Sequence, residues 1–243
     1  MERITRKSQV QSIIDLGISM YHSGGVDLCV HEIQSRLLTY KIKFPLLEFA
    51  AIELYQNLRP SHHLIFLEKV QSLKTIGGNV ITGIILQHRL KQHFKQTVNK
   101  TIEFIREADA WYVCDIIGER VWGFSLVNNP DLTIQEARRL TLREDPWVIR
   151  SWGAGIHYAV KRGLERPYVK ALFLVLLKMA TVSNKEIRQG IGWAAKTTAR
   201  FHPDLIKEFD SRISEEENVQ NWFRNKIKIG LDRSRYKRTR SNN

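Results

Sequence analysis

Cysteine, proline and glycine are all scarce in this chain of 243 residues, which has 2, 6 and 14 of them. Two cysteines, Cys29 and Cys114, are too few for a disulfide framework, and neither has a neighbouring cysteine with which to bind a metal. The histidine pairs also lack the i, i+4 spacing of a helical zinc site: His62 with His63, and His88 with His93. No glycine-rich phosphate loop or nucleophile elbow is present. We therefore expect no metal and no cofactor.

Long hydrophobic runs are absent as well. The longest, Ala171 to Leu177, is far too short to cross a bilayer, and no apolar segment of a signal peptide follows the first residues. We expect a cytoplasmic, monomeric protein without a membrane partner, associated with the nucleoid in a bacterium. Because proline and glycine are dispersed, composition marks no internal linker. The sequence predicts one domain over residues 1–231 and a basic tail over 232–243.

Positive charge is in excess, with a formal net charge of +13. It is concentrated near the end of the chain, where one acid, Asp232, opposes seven basic residues: Lys226, Lys228, Arg233, Arg235, Lys237, Arg238 and Arg240. Such a segment can neutralise phosphates without reading sequence, although a solvated tail has the same composition. Charge by itself therefore favours a nucleic-acid partner.

Apolar residues recur at helical spacing along most of the chain, which predicts an all-α fold. Asp145 before Pro146 is typical of a helix start, and Ser183 with Glu186 has the spacing of a capping box. Helices are predicted near residues 7–22, 28–40, 45–57, 61–73, 78–92, 94–107, 110–118, 133–143, 146–162, 167–180, 184–201, 203–212 and 216–229.

Two of these helices begin alike. The segments Pro146–Arg150 and Asn184–Arg188 align at an offset of 38, and each is followed by two glycines. A period near 40 in a helical chain is typical of HEAT-like helical pairs, which stack into a curved solenoid. The sequence therefore predicts an α-α superhelix with a concave groove.

The faces of these two helices differ in character. Their apolar stripes are Ile149, Trp152, Ile156 and Val160 in the first, and Ile187, Ile191 and Ala195 in the second. The opposing faces carry Arg150, His157 and Lys161, and Gln189, Trp193, Lys196 and Arg200. Among those polar residues Trp193 is either an edge of the core or an exposed stacking surface.

An aromatic ring and a carboxylate stand one helical turn apart at Trp111 and Asp115. Residues at this spacing share a face and can hold a sugar between them. An acid at the contact surface of a basic chain indicates chemistry on a nucleic acid, since binding alone needs no carboxylate. The structural alternatives are that Asp115 pairs with Arg120 or another base, that the tryptophans are packing residues, and that Arg150 pairs with Asp145 or Glu144.

At these residues the chain resembles the DNA alkylation repair family, the AlkD-type HEAT-like DNA glycosylases, from about Phe44 to Leu231. Three segments carry the resemblance: Trp111-x-x-x-Asp115, Pro146-Trp-Val-Ile-Arg150, and Ile191-Gly-Trp193 followed by Lys196. The chain departs from the family where Ala110 replaces a second tryptophan and Tyr112 replaces an acid. In the N-terminal half, Phe44-Pro45 is the nearest feature to the Pro-x-x-Arg helix start of many relatives.

The resemblance implies a glycosylase that removes N3- or N7-alkylated, cationic purines from duplex DNA in base excision repair. It implies that Asp115 is the catalytic carboxylate, that Trp111 and Trp193 flank the lesion nucleotide, and that Arg150 contacts phosphate. We expect the remaining DNA contacts from the polar helix faces: Lys196, Arg200, Gln189, His157 and Lys161. The alternatives are a non-catalytic HEAT-like protein that binds distorted or branched DNA, as Ala110 and Tyr112 would suit, and a protein-binding helical scaffold.

Overall fold

The computed structural model describes residues 3–141, 145–215 and 217–240, and the side chains of these residues except 140, 141 and 235–240. Some sequence predictions lie outside the described residues. They are the end of the helix expected over 133–143, Glu144 as a partner of Arg150, residues 241–243 of the basic tail, and the tail side chains Arg235, Lys237, Arg238 and Arg240.

The chain divides into two compact units, Met1–Phe104 and Ile105–Asn243. The single domain expected over residues 1–231 stays a prediction, as does the concave groove. In each unit nearly all described residues are helical, which confirms the all-α prediction.

The first unit is built from helices that bury one apolar face each, with Ile14, Ile33, Leu54, Phe66 and Ile85 among its fully buried side chains. A parallel pair of two-residue strands, β1 (Arg3–Ile4) and β2 (Lys41–Ile42), joins the segment before the first helix to the segment before the third. Its helices are α1 (Lys7–Gly24), α2 (Val26–Ile33), α3 (Phe44–Asn57), α4 (His63–Ser72) and most of α5 (Ile76–Ala108), with a π-helical turn at Gln34–Leu38 and a 3-10 turn at Pro60–His62.

The long helix α5 is kinked at His93, whose φ of −133° and ψ of 47° are not helical. The sequence predicted two helices, 78–92 and 94–107, separated at this residue. The predicted break is therefore confirmed as a kink.

The second unit contains the segments that carry the predicted site. Its helices after α5 are α6 (Trp111–Gly118), α7 (Phe124–Asn128), α8 (Pro130–Thr141), α9 (Pro146–Lys161), α10 (Arg166–Lys178), α11 (Lys185–Phe201), α12 (Pro203–Glu208), α13 (Asp210–Ser214) and α14 (Asn221–Arg240). The apolar stripes predicted for α9 and α11 are buried, as expected.

The sequence missed the helical segment after α6, where a π-helical turn, Glu119–Gly123, leads into α7. Glycines at 118 and 123 are typical of helix ends, but here they are sites of close packing. A Cβ at Gly118 would lie 2.4 Å from the Ser151 carbonyl oxygen, and one at Gly123 would lie 2.7 Å from the Tyr158 Cβ. Local propensity predicts a helix end at each of these glycines. The helix continues through them, and each must be a glycine because α9 packs so closely against it.

The end of the chain also differs from expectation. A helix was predicted over 216–229 with a tail from 232, whereas α14 begins at Asn221 and continues to Arg240. Gly230 lies within α14 at a close contact, since a Cβ there would be 2.3 Å from the Lys196 carbonyl oxygen. The described part of the basic segment is thus helical.

Side chains about 38 residues apart repeatedly meet in the second unit. The Trp147 Nε1 donates to Asp109 at 2.5 Å, and the Tyr168 hydroxyl donates to Asp131 at 3.0 Å. Arg166 donates to Asp204 at 3.2 Å, again across 38 residues. Contacts at the offset found in the sequence confirm an all-α helical-repeat fold.

Among the described residues, no helix combines the length and the apolar character that a membrane span requires. Cys29 and Cys114 are both buried free thiols, and burial raises the pKa of each to about 12. They are therefore packing residues with little thiolate character.

Candidate active site

Helix α6 carries the ring and the carboxylate that the sequence predicted to share a face. Trp111 is its first residue, and Asp115 follows one turn later. Trp111 as a whole residue is 58% exposed, whereas the side chain of Asp115 is 19% exposed. Both contact Arg150: its Cζ lies 5.7 Å from the centroid of the Trp111 ring, and its guanidinium bonds the Asp115 carboxylate. The side chains of Trp111 and Asp115 are therefore connected by their shared contact with Arg150.

Arg150 is held by two carboxylates. Its Nε and Nη2 donate to Oδ1 and Oδ2 of Asp115 at 3.0 and 2.9 Å, and its Nη1 donates to Oε2 of Glu186 at 2.6 Å. A bidentate arginine–carboxylate pair is both strong and geometrically specific. Burial alone would lower the pKa of Arg150, but the hydrogen bonds and charges of Asp115 and Glu186 outweigh burial and raise it.

The structural alternative that Asp115 pairs with a basic residue is confirmed, whereas the described partners of Arg150 differ from Asp145, which sequence position suggested. Asp115 pairs with Arg150 rather than with Arg120, which donates to the Ile116 carbonyl oxygen at 3.2 Å. Asp145 accepts from Arg106 at 3.0 Å and caps α9, as predicted, through the amides of its first turn. The contact of Arg150 with phosphate stays a prediction.

Three helices approach one another closely at this point because glycines lie where they cross. A Cβ on Gly153 of α9 would lie 2.3 Å from the Gly190 carbonyl carbon, and one on Gly190 of α11 would lie 2.5 Å from the Arg150 carbonyl oxygen. Gly118 of α6 packs equally closely on Ser151. Gly153 and Gly190, which the sequence singled out, bring α9 and α11 into backbone contact, and Gly118, which it did not, brings α6 against α9. These contacts place the side chains of the three helices within hydrogen-bonding reach.

Trp193 is backed by a histidine. Its indole stacks on the His157 imidazole, and the Nδ1 of His157 lies 2.6 Å from the Thr197 hydroxyl. His157 is only 9% exposed. Burial, and then the positive charges of Lys161 and Lys196, lower its pKa to about 3. His157 is thus a buried support beneath Trp193 with little surface of its own at the pocket, and its contact with DNA stays a prediction.

A pocket of about 260 Å³ opens among α6, α9, α11 and α14. Burial, followed by the charges of Arg233 and Lys226, lowers the pKa of Lys196, one of its lining residues. The lining includes five of the residues that the sequence proposed, together with Gly190 and a lysine from α14: Asp115, Arg150, Gln189, Gly190, Trp193, Lys196 and Lys226. The structure thus brings an acid, an indole and two lysines to one concavity.

The other proposed contact residues lie outside this lining. Lys161 and Arg200 are both exposed, and the Arg200 guanidinium lies 5.4 Å from the Phe201 ring centroid. Trp111 is linked to the pocket through its contact with Arg150. All three remain predicted DNA contacts.

Sequence reasoning missed Glu186 and Lys226 as members of this site. Glu186 was assigned to a capping box with Ser183, but Asn184 is the cap and accepts from the amides of Glu186 and Ile187 at 2.9 and 3.1 Å. The Glu186 side chain is therefore available to bond Arg150. Lys226 was counted in the basic segment, where its charge was evident and its position was not.

Comparison with known families gives a match that spans most of the second unit. Residues 78–223 match the family described as DNA alkylation repair enzyme. The match covers more than half of the chain and includes all the residues that line the pocket except Lys226. Searches of curated proteins and of solved structures gave no match. On this evidence, the chain belongs to the DNA alkylation repair enzyme family.

Proposed function

We propose that this protein is a DNA glycosylase that hydrolyses the N-glycosidic bond of N3- or N7-alkylated purines in duplex DNA. The observation that carries the proposal is the Asp115 carboxylate, fixed by Arg150 and lining the same pocket as Trp193, Lys196 and Lys226. The reaction needs an anion beside the sugar and cations beside the phosphates, and this pocket supplies both.

The leaving base requires little help. An alkylated N3 or N7 gives the purine a formal positive charge, so the base departs as a neutral molecule when it takes the electron pair of the C1′–N9 bond. A general acid is therefore unnecessary for departure of the base.

The sugar is the part that the protein must stabilise. As the bond breaks, C1′ and the ring oxygen become positive, and a fixed carboxylate lowers the energy of that oxocarbenium character. Each Asp115 oxygen accepts one hydrogen bond from Arg150 and keeps a second lone pair with which to orient water. Water then adds its oxygen to C1′ and releases one proton.

Trp193 provides a flat face at the pocket, and its stack on His157 fixes the orientation of the indole. An indole attracts a cationic sugar or base by about 0.5–2 kcal/mol, depending on desolvation. Lys196 and Lys226 would bind the flanking phosphates. Trp111, exposed on α6, would contact the nucleotide backbone.

The decisive experiment measures release of N7-methylguanine from methylated duplex DNA by the wild type and by Asp115→Asn. We expect the variant to lose roughly 100-fold or more in excision rate and to keep its affinity for duplex DNA. Asp204→Asn is the matched control, because Asp204 also pairs with a shared arginine, Arg166, at an exposed site.

Equal excision by the wild type and Asp115→Asn would remove Asp115 from its proposed role. A wild type that binds duplex DNA and releases no base would favour the non-catalytic alternative, to which Ala110 and Tyr112 point. A scaffold that binds only proteins would show no salt-dependent affinity for DNA.

A further inference from the structure

Glu186 is the second carboxylate of the site, and the proposed chemistry does not use it directly. Glu186 is not among the residues that line the pocket, which include Asp115 and Arg150. Its contact with the site is the 2.6 Å hydrogen bond from Arg150 Nη1 to Oε2. Any influence of Glu186 on the position of the Asp115 carboxylate must therefore pass through Arg150.

Two features of the fold determine the position of Glu186. It lies in the first turn of α11, where its amide donates to the capping Asn184 side chain at 2.9 Å. One turn later, Gly190 packs against the Arg150 backbone so closely that a Cβ would lie 2.5 Å from its carbonyl oxygen. The cap and the glycine contact together fix the distance between the start of α11 and the Arg150 side chain. The Glu186 side chain is 23% exposed and that of Arg150 is 11% exposed, so solvent screens their interaction only in part.

The net charge of Asp115, Arg150 and Glu186 shows how this arrangement affects the field at the pocket. Asp115 and Arg150 alone form a neutral pair, and a neutral pair exerts a weak field on a developing cation. With Glu186 the group has two carboxylates and one guanidinium, which leaves one net negative charge. The positive charges of Lys196 and Lys226 would be matched by DNA phosphates in the complex.

We propose that Glu186 is a positioning residue that shares the Arg150 guanidinium, so that Asp115 is held in place while its negative charge stays uncompensated beside the deoxyribose. This inference rests on the proposed glycosylase function. It adds a residue on which the catalytic carboxylate depends, and it predicts effects on the chemical step rather than on DNA binding.

The test uses Glu186→Gln, which keeps the shape of the side chain and removes its charge. With enzyme in excess over methylated duplex, we expect the single-turnover rate of base release to fall about 10- to 100-fold. Affinity for the same duplex without lesions should be unchanged. Glu186→Asp, which keeps the charge on a shorter side chain, should retain more activity than Glu186→Gln.

The matched control is Glu208→Gln. Glu208 shares Arg166 with Asp204, as Glu186 shares Arg150 with Asp115, but it lies on the exposed surface of α12. Its removal should leave the excision rate unchanged. Wild-type excision by Glu186→Gln, or a loss confined to DNA affinity, would overturn the inference.

A second measurement is independent of activity. In the wild type, the Arg150 Nε–H should give a slowly exchanging NMR resonance, because three of its guanidinium hydrogen bonds are made at once. Glu186→Gln should accelerate both proton exchange and rotation about the Nε–Cζ bond. An unchanged resonance would overturn the positioning role, whereas a wild type that fixes Arg150 but releases no base would contradict the proposed glycosylase function instead.

Discussion

The Trp193 indole stacks on the His157 imidazole with ring centroids 4.0 Å apart and planes inclined by 26°. The Thr197 hydroxyl donates to the Trp193 carbonyl oxygen at 3.0 Å, so its oxygen is left to accept from His157 Nδ1. This chain of bonds requires a proton on Nδ1 of His157, and the lowered pKa of the residue keeps the ring neutral near pH 7. The indole at the pocket thus has a rigid, uncharged support.

Trp193→Ala is expected to weaken the reaction on methylated duplex, because a stacking face worth about 0.5–2 kcal/mol is lost. The measured quantity is the single-turnover rate of base release, and a decrease of roughly 2- to 30-fold corresponds to that energy. Trp222→Ala is the control, since Trp222 stacks against Arg188 at 5.3 Å and does not line the pocket. Equal losses in the two variants would indicate a general effect on folding.

His157 should make stability depend on pH. Its pKa is about 3 in the folded protein and near 6.5 in the unfolded chain, so the unfolded chain binds more protons between those values. Stability is therefore lost as the pH falls from about 6.5 towards 3. Between pH 7 and pH 5 the loss attributable to this residue is about 2 kcal/mol.

His157→Phe keeps an aromatic ring beneath Trp193 and cannot titrate. Urea unfolding at pH 7 and pH 5 should show a smaller loss for the variant, although burial also lowers the pKa of His63, His88 and His202. A variant that is destabilised by acid as steeply as the wild type would contradict the assignment.

Gly190→Ala should be destabilising, because its Cβ would lie 2.5 Å from the Arg150 carbonyl oxygen and 2.6 Å from its Cα. Backbone cannot move aside as a flexible side chain can, so we expect a loss of about 1–3 kcal/mol in the free energy of unfolding. Gly192→Ala is the matched control on the same helix, since its nearest contact, at 3.1 Å, is the flexible Lys226 side chain. Denaturant unfolding of both variants would refute the packing argument if the two were equally stable.

Lys226→Gln should weaken binding to unmodified duplex DNA, because Lys226 lines the pocket beside Lys196. Removing one phosphate contact should reduce the slope of log affinity against log salt by about 1. Fluorescence anisotropy between low and moderate salt gives that slope. Lys178→Gln is the control: it removes an exposed lysine from α10 and should leave the slope unchanged. Equal slopes for Lys226→Gln and the wild type would exclude a phosphate contact of Lys226.

Local sequence was sufficient for most of the helices in the fold. The 3.6-residue period of apolar side chains predicted most helices, the cap at Asp145 with Pro146 was confirmed, and a break at His93 appeared as a kink. These features depend on residues within a few turns of one another. Local patterns give the wrong prediction where a residue is determined by a contact far away in the sequence. Gly118 and Gly123 are examples, because they pack against α9 and do not end a helix.

The sequence by itself also determined the helix face to which each candidate residue belongs, and its resemblance to a known family implied that Asp115, Arg150 and Trp193 form a set. Only the tertiary structure decided their partners: Arg150 bonds Asp115 and Glu186, and His157 lies buried under Trp193. A helical period fixes the direction of a side chain around its own axis. It contains no information about which neighbouring helix stands opposite, because that depends on where glycines allow two backbones to touch.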